Sequence, residues 1–219
     1  MNYGLPYVGS KNKIAKTIID FLPPADHFYD LFSGGCAITH AAILSNKYKI
    51  FHVNDINIQY PAYFADIISG KRKVSYNIYT RNDFHNSKND NVECATCWSF
   101  GNNLHSFLWG KDIEELKILV CKMLLSENIH ERYTFYKKFI KHISTNNFKN
   151  RDLNRIQSIQ SIQSIERILR ISDLEKRNVN IEITGLDYRD VKVEQNSVVY
   201  CDPPYKNVYN DYNVKFNHD

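Results

Sequence analysis

The segment Val198-Val199-Tyr200-Cys201-Asp202-Pro203-Pro204-Tyr205 constrains the fold more than any other stretch of the chain. Its apolar start predicts a buried parallel strand, stopped by an acid, two prolines and an aromatic. That order holds a carboxylate at the carboxyl end of a strand, where open α/β sheets bind their ligands. The prolines stiffen the turn and, lacking N–H groups, leave backbone carbonyls as outward acceptors. Acceptors beside an aromatic plate suit a flat base carrying an exocyclic amine. Taken alone, the same letters also describe a proline-rich turn with an N-capping aspartate.

The amino-terminal third supplies the matching half of a sheet. Ile14, Ile18, Ile19 and Leu22 predict one helical face, closed by Pro23-Pro24. Phe28 to Phe32 reads as a strand running into Ser33-Gly34-Gly35, and Ala37 to Leu44 as a helix. A second strand, Ile50 to Val53, ends at Asn54-Asp55, and a helix through Tyr63, Phe64, Ile67 and Ile68 closes at Gly70. This is one half of a doubly wound sheet, and Ile181 to Gly185 adds a further strand. The glycine turn lacks the full G-x-G-x-x-G, so a nicotinamide or flavin site fits poorly. Asp55 lies 21 residues past Gly34, where an acid binds ribose hydroxyls in nucleotide folds. The alternative for Asp55 alone is a helix N-cap.

Between Lys71 and Lys149 the αβ alternation disappears. Trp98, Phe100, Phe107 and Trp109 surround Gly101-Asn102-Asn103, and helices are expected near 112–125 and 129–143. The block reads as an insertion facing a substrate. From Leu153 to Leu174 an aliphatic residue recurs at every third position. That period drifts about 60° per step around an α-helix. A bent or broken helix is expected, with a solenoid-like coil as the alternative, and no function attaches to it.

The formal charge of +4 permits nucleic-acid binding without demanding it. The basic groups Lys11/Lys13/Lys16, Lys71-Arg72-Lys73 and Lys137-Lys138/Lys141 are either solvated faces or phosphate contacts. Five cysteines without framework spacing, and no signal peptide or long apolar span, point to a reducing cytoplasm and no membrane. Cys94-Ala95-Thr96-Cys97 lacks a second ligand pair, and the histidines lack ligand spacing, so no metal is expected. The two cysteines read as small residues on a buried segment.

At this point the chain resembles the Dam-like DNA adenine methyltransferases. Leu5-Pro6-Tyr7-Val8-Gly9-Ser10-Lys11 is similar to that family's amino-terminal segment, and Asp30-Leu31-Phe32-Ser33-Gly34-Gly35 to its first cofactor loop. Asn54-Asp55-Ile56-Asn57 is similar to its acidic ribose-binding turn, and Asp202-Pro203-Pro204-Tyr205 to its catalytic motif. The order, cofactor loop first and catalytic motif last, resembles the family's α arrangement. One departure is Cys36, where the family carries the second glycine of a Gly-x-Gly.

The resemblance implies a Rossmann-like S-adenosylmethionine-dependent methyltransferase sheet with a mostly helical recognition insertion. It implies methyl transfer from S-adenosylmethionine to the exocyclic amine of a flipped-out adenine in double-stranded DNA. Asp202, Pro203 and Tyr205 take catalytic roles, and Tyr7, Lys11, Phe32, Gly34, Gly35, Asp55 and Asp202 contact the cofactor. Lys11 could instead touch DNA phosphate. The implied organisation is a cofactor-binding half over 1–70, a recognition insertion over 71–180, and a catalytic strand and motif over 181–219. The chain stops 14 residues beyond Tyr205, and the resemblance implies that the last strands of the domain are missing. A bacterial or phage origin is implied, and the DNA target and any restriction endonuclease partner are not legible. Methyl transfer to RNA or to a protein amide, and a non-catalytic remnant that binds DNA or cofactor, are the rival expectations.

Overall fold

In the computed structural model, which describes residues 2–145 and 160–204, the alternation produces a parallel sheet. The strands are His27–Asp30 (β1), Ile50–Asn54 (β2), Asn180–Thr184 (β3) and Ser197–Tyr200 (β4). Among the described residues their order is β3-β2-β1-β4. Phe28 pairs with Phe51 on one side of β1 and with Val198 on the other. β1 is interior to the sheet, and its Phe28, Tyr29 and Asp30 are all buried. That is why its letters run apolar without alternation.

Ala15–Phe21 (α1) packs on Ala37–Ser45 (α2), and α2 and Gln59–Ile68 (α3) pack on this sheet. α2 packs on β1 and β2, and α3 on β3. Ile19 of α1 is buried as expected, whereas Ile14 precedes the helix and is exposed. Gly70 takes the left-handed turn after α3 at φ +70°. The mixed α/β arrangement is Rossmann-like, as the resemblance implied.

The chain divides into two compact units, Met1–Val74 with Arg167–Asp219, and Ser75–Glu166. The second contains Arg81–Ser87 (α4), Val92–Cys97 (α5), Glu114–Leu125 (α6) and Ile129–Thr145 (α7). α4 and α5 escape a periodicity reading because each is under two turns long. Their start signals are local: Thr80 and Asp83 form a capping box, and Asn91 caps Cys94 N–H. Trp98, Phe107 and Trp109 are core of this unit, with Trp98 and Trp109 rings 5.2 Å apart. Of the aromatic group expected to face a substrate, only Phe100 is exposed. Cys94 and Cys97 are both buried on α5, the packing role expected of them.

The triplet repeat enters the described residues at Gln160–Leu169 (α8), and positions 153–159 lie outside them. Along α8 the drift is visible: Ser161, Ser164, Ile165 and Ile168 are buried while Ile162 is only half-buried. The chain then changes to a 3₁₀ helix over Arg170–Arg177, where Ile171 and Leu174 are buried. Three residues per turn keep a period-three stripe on one face, so the change of helix type halts the drift. Residues from Arg167 onward belong to the sheet-bearing unit.

Candidate active site

Three carboxylates stand at or just beyond the carboxyl ends of β1, β2 and β4: Asp30, Asp55 and Asp202. Asp30 is buried, and Oδ2 accepts a hydrogen bond from Thr39 Oγ1 of α2 at 2.7 Å. Its Oδ1 is buried without a hydrogen-bond partner. Burial pushes the Asp30 carboxyl up to about 7, against the Thr39 bond, with the charges of Asp55 and Asp202 adding to the rise.

Asp55 is built into the glycine turn. Its Oδ2 accepts the Gly34 N–H at 2.7 Å and its Oδ1 the Asn57 N–H at 2.9 Å. Burial raises its pKa, and those two backbone bonds oppose the rise. Gly34 sits at φ +46°, and a Cβ there would lie 3.1 Å from the Tyr7 ring. The conformation favours glycine, and a Cβ would also crowd the Tyr7 ring. The Tyr7 ring also meets Tyr60 of α3 edge-on, at 4.9 Å between centroids.

The loop carrying Tyr7 also delivers Lys11. Lys11 Nζ lies 2.5 Å from Asp202 Oδ2, so the amino-terminal segment and the Asp-Pro-Pro turn meet through an ion pair. Asp202, Pro203 and Pro204 are each half-buried just past β4. Phe32 is half-buried, and its ring centroid is 5.2 Å from that of Tyr188, which follows β3. Tyr205 lies outside the described residues. The structure thus gathers Tyr7, Lys11, Phe32, Gly34, Gly35, Asp55 and Asp202 around the ends of neighbouring strands.

A family model described as D12 class N6 adenine-specific DNA methyltransferase matches residues 7–219. The chain belongs to this family. It is an adenine-specific DNA methyltransferase. A search of curated proteins returned no match.

Several residues of this methyltransferase matter to the site and carry no role in the sequence reading. Asn54 donates through Nδ2 to the carbonyls of Leu31 and Leu186, and its Oδ1 accepts from Thr184 Oγ1 and Leu186 N–H. One buried amide thereby ties together the ends of β1, β2 and β3 beside Asp55. Tyr188, opposite Phe32, and the buried Asp30–Thr39 pair are the others. Cys36, at the family's second glycine position, adopts φ +58° and is fully buried. The methyltransferase thus keeps the glycine conformation with a small side chain, at a cost of roughly 1–2 kcal/mol. Among the described residues no cluster of His, Cys, Asp and Glu is placed to hold a metal ion, and no helix is long and apolar enough to cross a membrane.

Proposed function

We propose that this methyltransferase moves a methyl group from S-adenosylmethionine to the exocyclic amine of an adenine flipped out of duplex DNA. The observation that carries the reading is the convergence of Asp55 and Asp202 on Asp30, from the ends of strands on either side of β1, with Asp55 bonded to the Gly34 turn. The residues fit the donor chemically. Each Asp55 oxygen keeps a lone pair beyond its backbone bond, suited to ribose hydroxyls. The unpartnered Oδ1 of Asp30 suits a cationic amino group, and Phe32 and Tyr188 offer aromatic faces to a purine. Bound there, the cofactor supplies an electrophilic sulfonium methyl group.

The chain's own residues then act on the acceptor amine, whose lone pair is conjugated into the ring. The Asp202 carboxylate and the Pro203 carbonyl accept its two hydrogens and draw the nitrogen toward a pyramidal geometry. Acceptors placed where positive charge develops are worth about 2.7–4 kcal/mol each by comparison with oxyanion sites. Flipping the base costs about a few kcal/mol. Tyr205, by its place in the motif, offsets part of that through stacking, about 1–3 kcal/mol. Lys11 holds the Asp202 carboxylate through Oδ2.

The test is transfer of a labelled methyl group to duplex DNA, RNA and a protein mixture, followed by identification of the modified base. N6-methyladenine in duplex DNA, lost in Asp202→Ala, is the expected result. Label in RNA or protein with none in DNA would overturn the reading.

A further inference from the structure

The amino-terminal loop presents Tyr7 and Lys11 from one short stretch with little regular structure. Something must hold it. Tyr3 N–H donates to Asn12 Oδ1 at 2.6 Å, Gly4 N–H to His40 Nδ1 at 3.0 Å, and Leu5 N–H to the Gly35 carbonyl at 2.6 Å. Gly4, at φ +63°, approaches the Gly35 backbone so closely that an added Cβ would lie 2.3 Å from its carbonyl oxygen. These bonds anchor the first half of the loop. The Ser10 end is tied differently.

Arg167, inside the triplet-repeat helix, spans both ends. Its Nε donates to the Gly4 carbonyl at 2.9 Å and the Tyr3 carbonyl at 3.1 Å. Its Nη2 donates to the Tyr3 carbonyl and to Ser10 Oγ at 3.1 Å. A planar fork of fixed donors can bridge three acceptors in this way, which a lysine ammonium on a flexible stem does not reproduce. The neighbouring apolar residues Ile165, Ile168 and Ile171 are buried, which sets the helix that carries Arg167. Burial holds His40 neutral, with its pKa lowered to about 4 and the positive charge of Arg167 reinforcing the shift. A neutral ring accepts the Gly4 N–H at Nδ1.

We infer that Arg167 is a positioning residue: it pins Ser10 to Tyr3 and Gly4, and so sets Lys11 against Asp202. The triplet repeat, without a role in the sequence reading, thereby carries the clamp of the active-site loop. The inference rests on the proposed function only for its effect on turnover. Its structural part is independent.

The first measurement is amide hydrogen exchange in the ligand-free full chain. Arg167→Gln is expected to speed exchange at Ser10 by about tenfold or more, while the β1 amides keep wild-type protection. Arg170→Gln, an exposed arginine on the following turn, is expected to change neither. Unchanged exchange at Ser10 would overturn the inference whatever the cofactor proves to be. The second measurement is kcat for methyl transfer in a double-mutant cycle with Lys11→Gln. Arg167→Gln is expected to lower kcat about tenfold alone, and far less when Lys11 is already replaced. Effects that multiply would overturn the link to Lys11. If Arg167→Gln does not fold, Ser10→Ala removes one branch of the clamp and is read in both assays, with unchanged exchange and kcat again decisive against it. A wild-type chain that binds no S-adenosylmethionine but shows the exchange effect would sink the cofactor reading and leave the clamp standing.

Discussion

Lys11 Nζ and Asp202 Oδ2 stand 2.5 Å apart, joining the segment before α1 to the turn after β4. Both side chains are mostly buried, at 24% and 16% exposure, so the pair is shielded more than a surface ion pair. The lysine therefore restrains the carboxylate proposed to act on the amine as well as balancing its charge. Lys11→Gln is expected to lower kcat by about 10- to 100-fold, the loss of one charge-assisted hydrogen bond. Asp202→Ala is expected to abolish methyl transfer while calorimetry still detects cofactor binding. Retention of more than about a tenth of wild-type turnover in Asp202→Ala would remove it from the chemistry.

Asp55 is held by the Gly34 and Asn57 amides, which fix its carboxylate at the mouth of the glycine turn. Asp55→Ala is expected to weaken S-adenosylmethionine binding by about tenfold or more, since a ribose loses a charge-assisted bond worth ~1.5–3 kcal/mol. Titration calorimetry on the folded variant measures this directly. Equal affinity in the two proteins would place the ribose elsewhere.

The strands and their carboxylates were legible because a parallel strand of an open α/β sheet writes itself as an apolar run with an acid at its end. Val198 to Asp202 and Ile50 to Asp55 both follow that grammar, although β4 is half-buried with Val199 exposed, where its letters predict a buried strand. The helices at 114–125 and 129–145 were legible from length and period. The rest depends on partners that are remote in the chain. Arg167 reaches Gly4 across 163 residues, and nothing in Gln-Ser-Ile-Glu-Arg-Ile distinguishes a clamp from a solvated arginine. Asn54 looks like a turn residue in Asn-Asp-Ile-Asn, yet four hydrogen bonds make it a junction of three strands. Trp98 and Trp109 flank a polar loop and read as a surface group, but they are buried, packed against each other and against Tyr79 and Phe107. The 3₁₀ segment is the clearest case of tertiary override, because its three residues per turn keep Ile171 and Leu174 buried after Ile165 and Ile168 of α8.

Asp30 gives the chain a pH dependence of known sign. Burial raises its carboxyl from 3.8 to about 7 in the folded protein. The folded state thus binds this proton more tightly than the unfolded state between those values. The contribution of Asp30 to stability is largest in acid, falls as pH rises through this window, and is level above about 7. Asp30→Asn has no charge to bury. It is expected to raise Tm relative to wild type more at about pH 8 than at about pH 5. A variant whose Tm offset is the same at both values would show that Asp30 does not titrate in this range.

Helix α7 carries an exposed cationic group. Lys137, Lys138 and Lys141 are all exposed, and Lys137 Nζ lies 4.4 Å from the Tyr133 ring centroid. Tyr133, Tyr136 and Ile140 are also exposed on this helix, so it presents aromatic and aliphatic surface among its lysines. Phosphate contacts release counterions, and each one lost reduces the slope of log K against log salt by about 0.9 for duplex DNA. If the helix meets the backbone, Lys137→Gln, Lys138→Gln and Lys141→Gln together are expected to flatten that slope by about one to three. Binding of duplex DNA measured by fluorescence anisotropy across a salt series reads the change. Cofactor affinity of the same triple variant, measured in parallel, checks that the sheet-bearing unit is intact. An unchanged salt slope would make the three lysines a solvated face and move the DNA contact to other basic groups, with Lys71-Arg72-Lys73 the next to test.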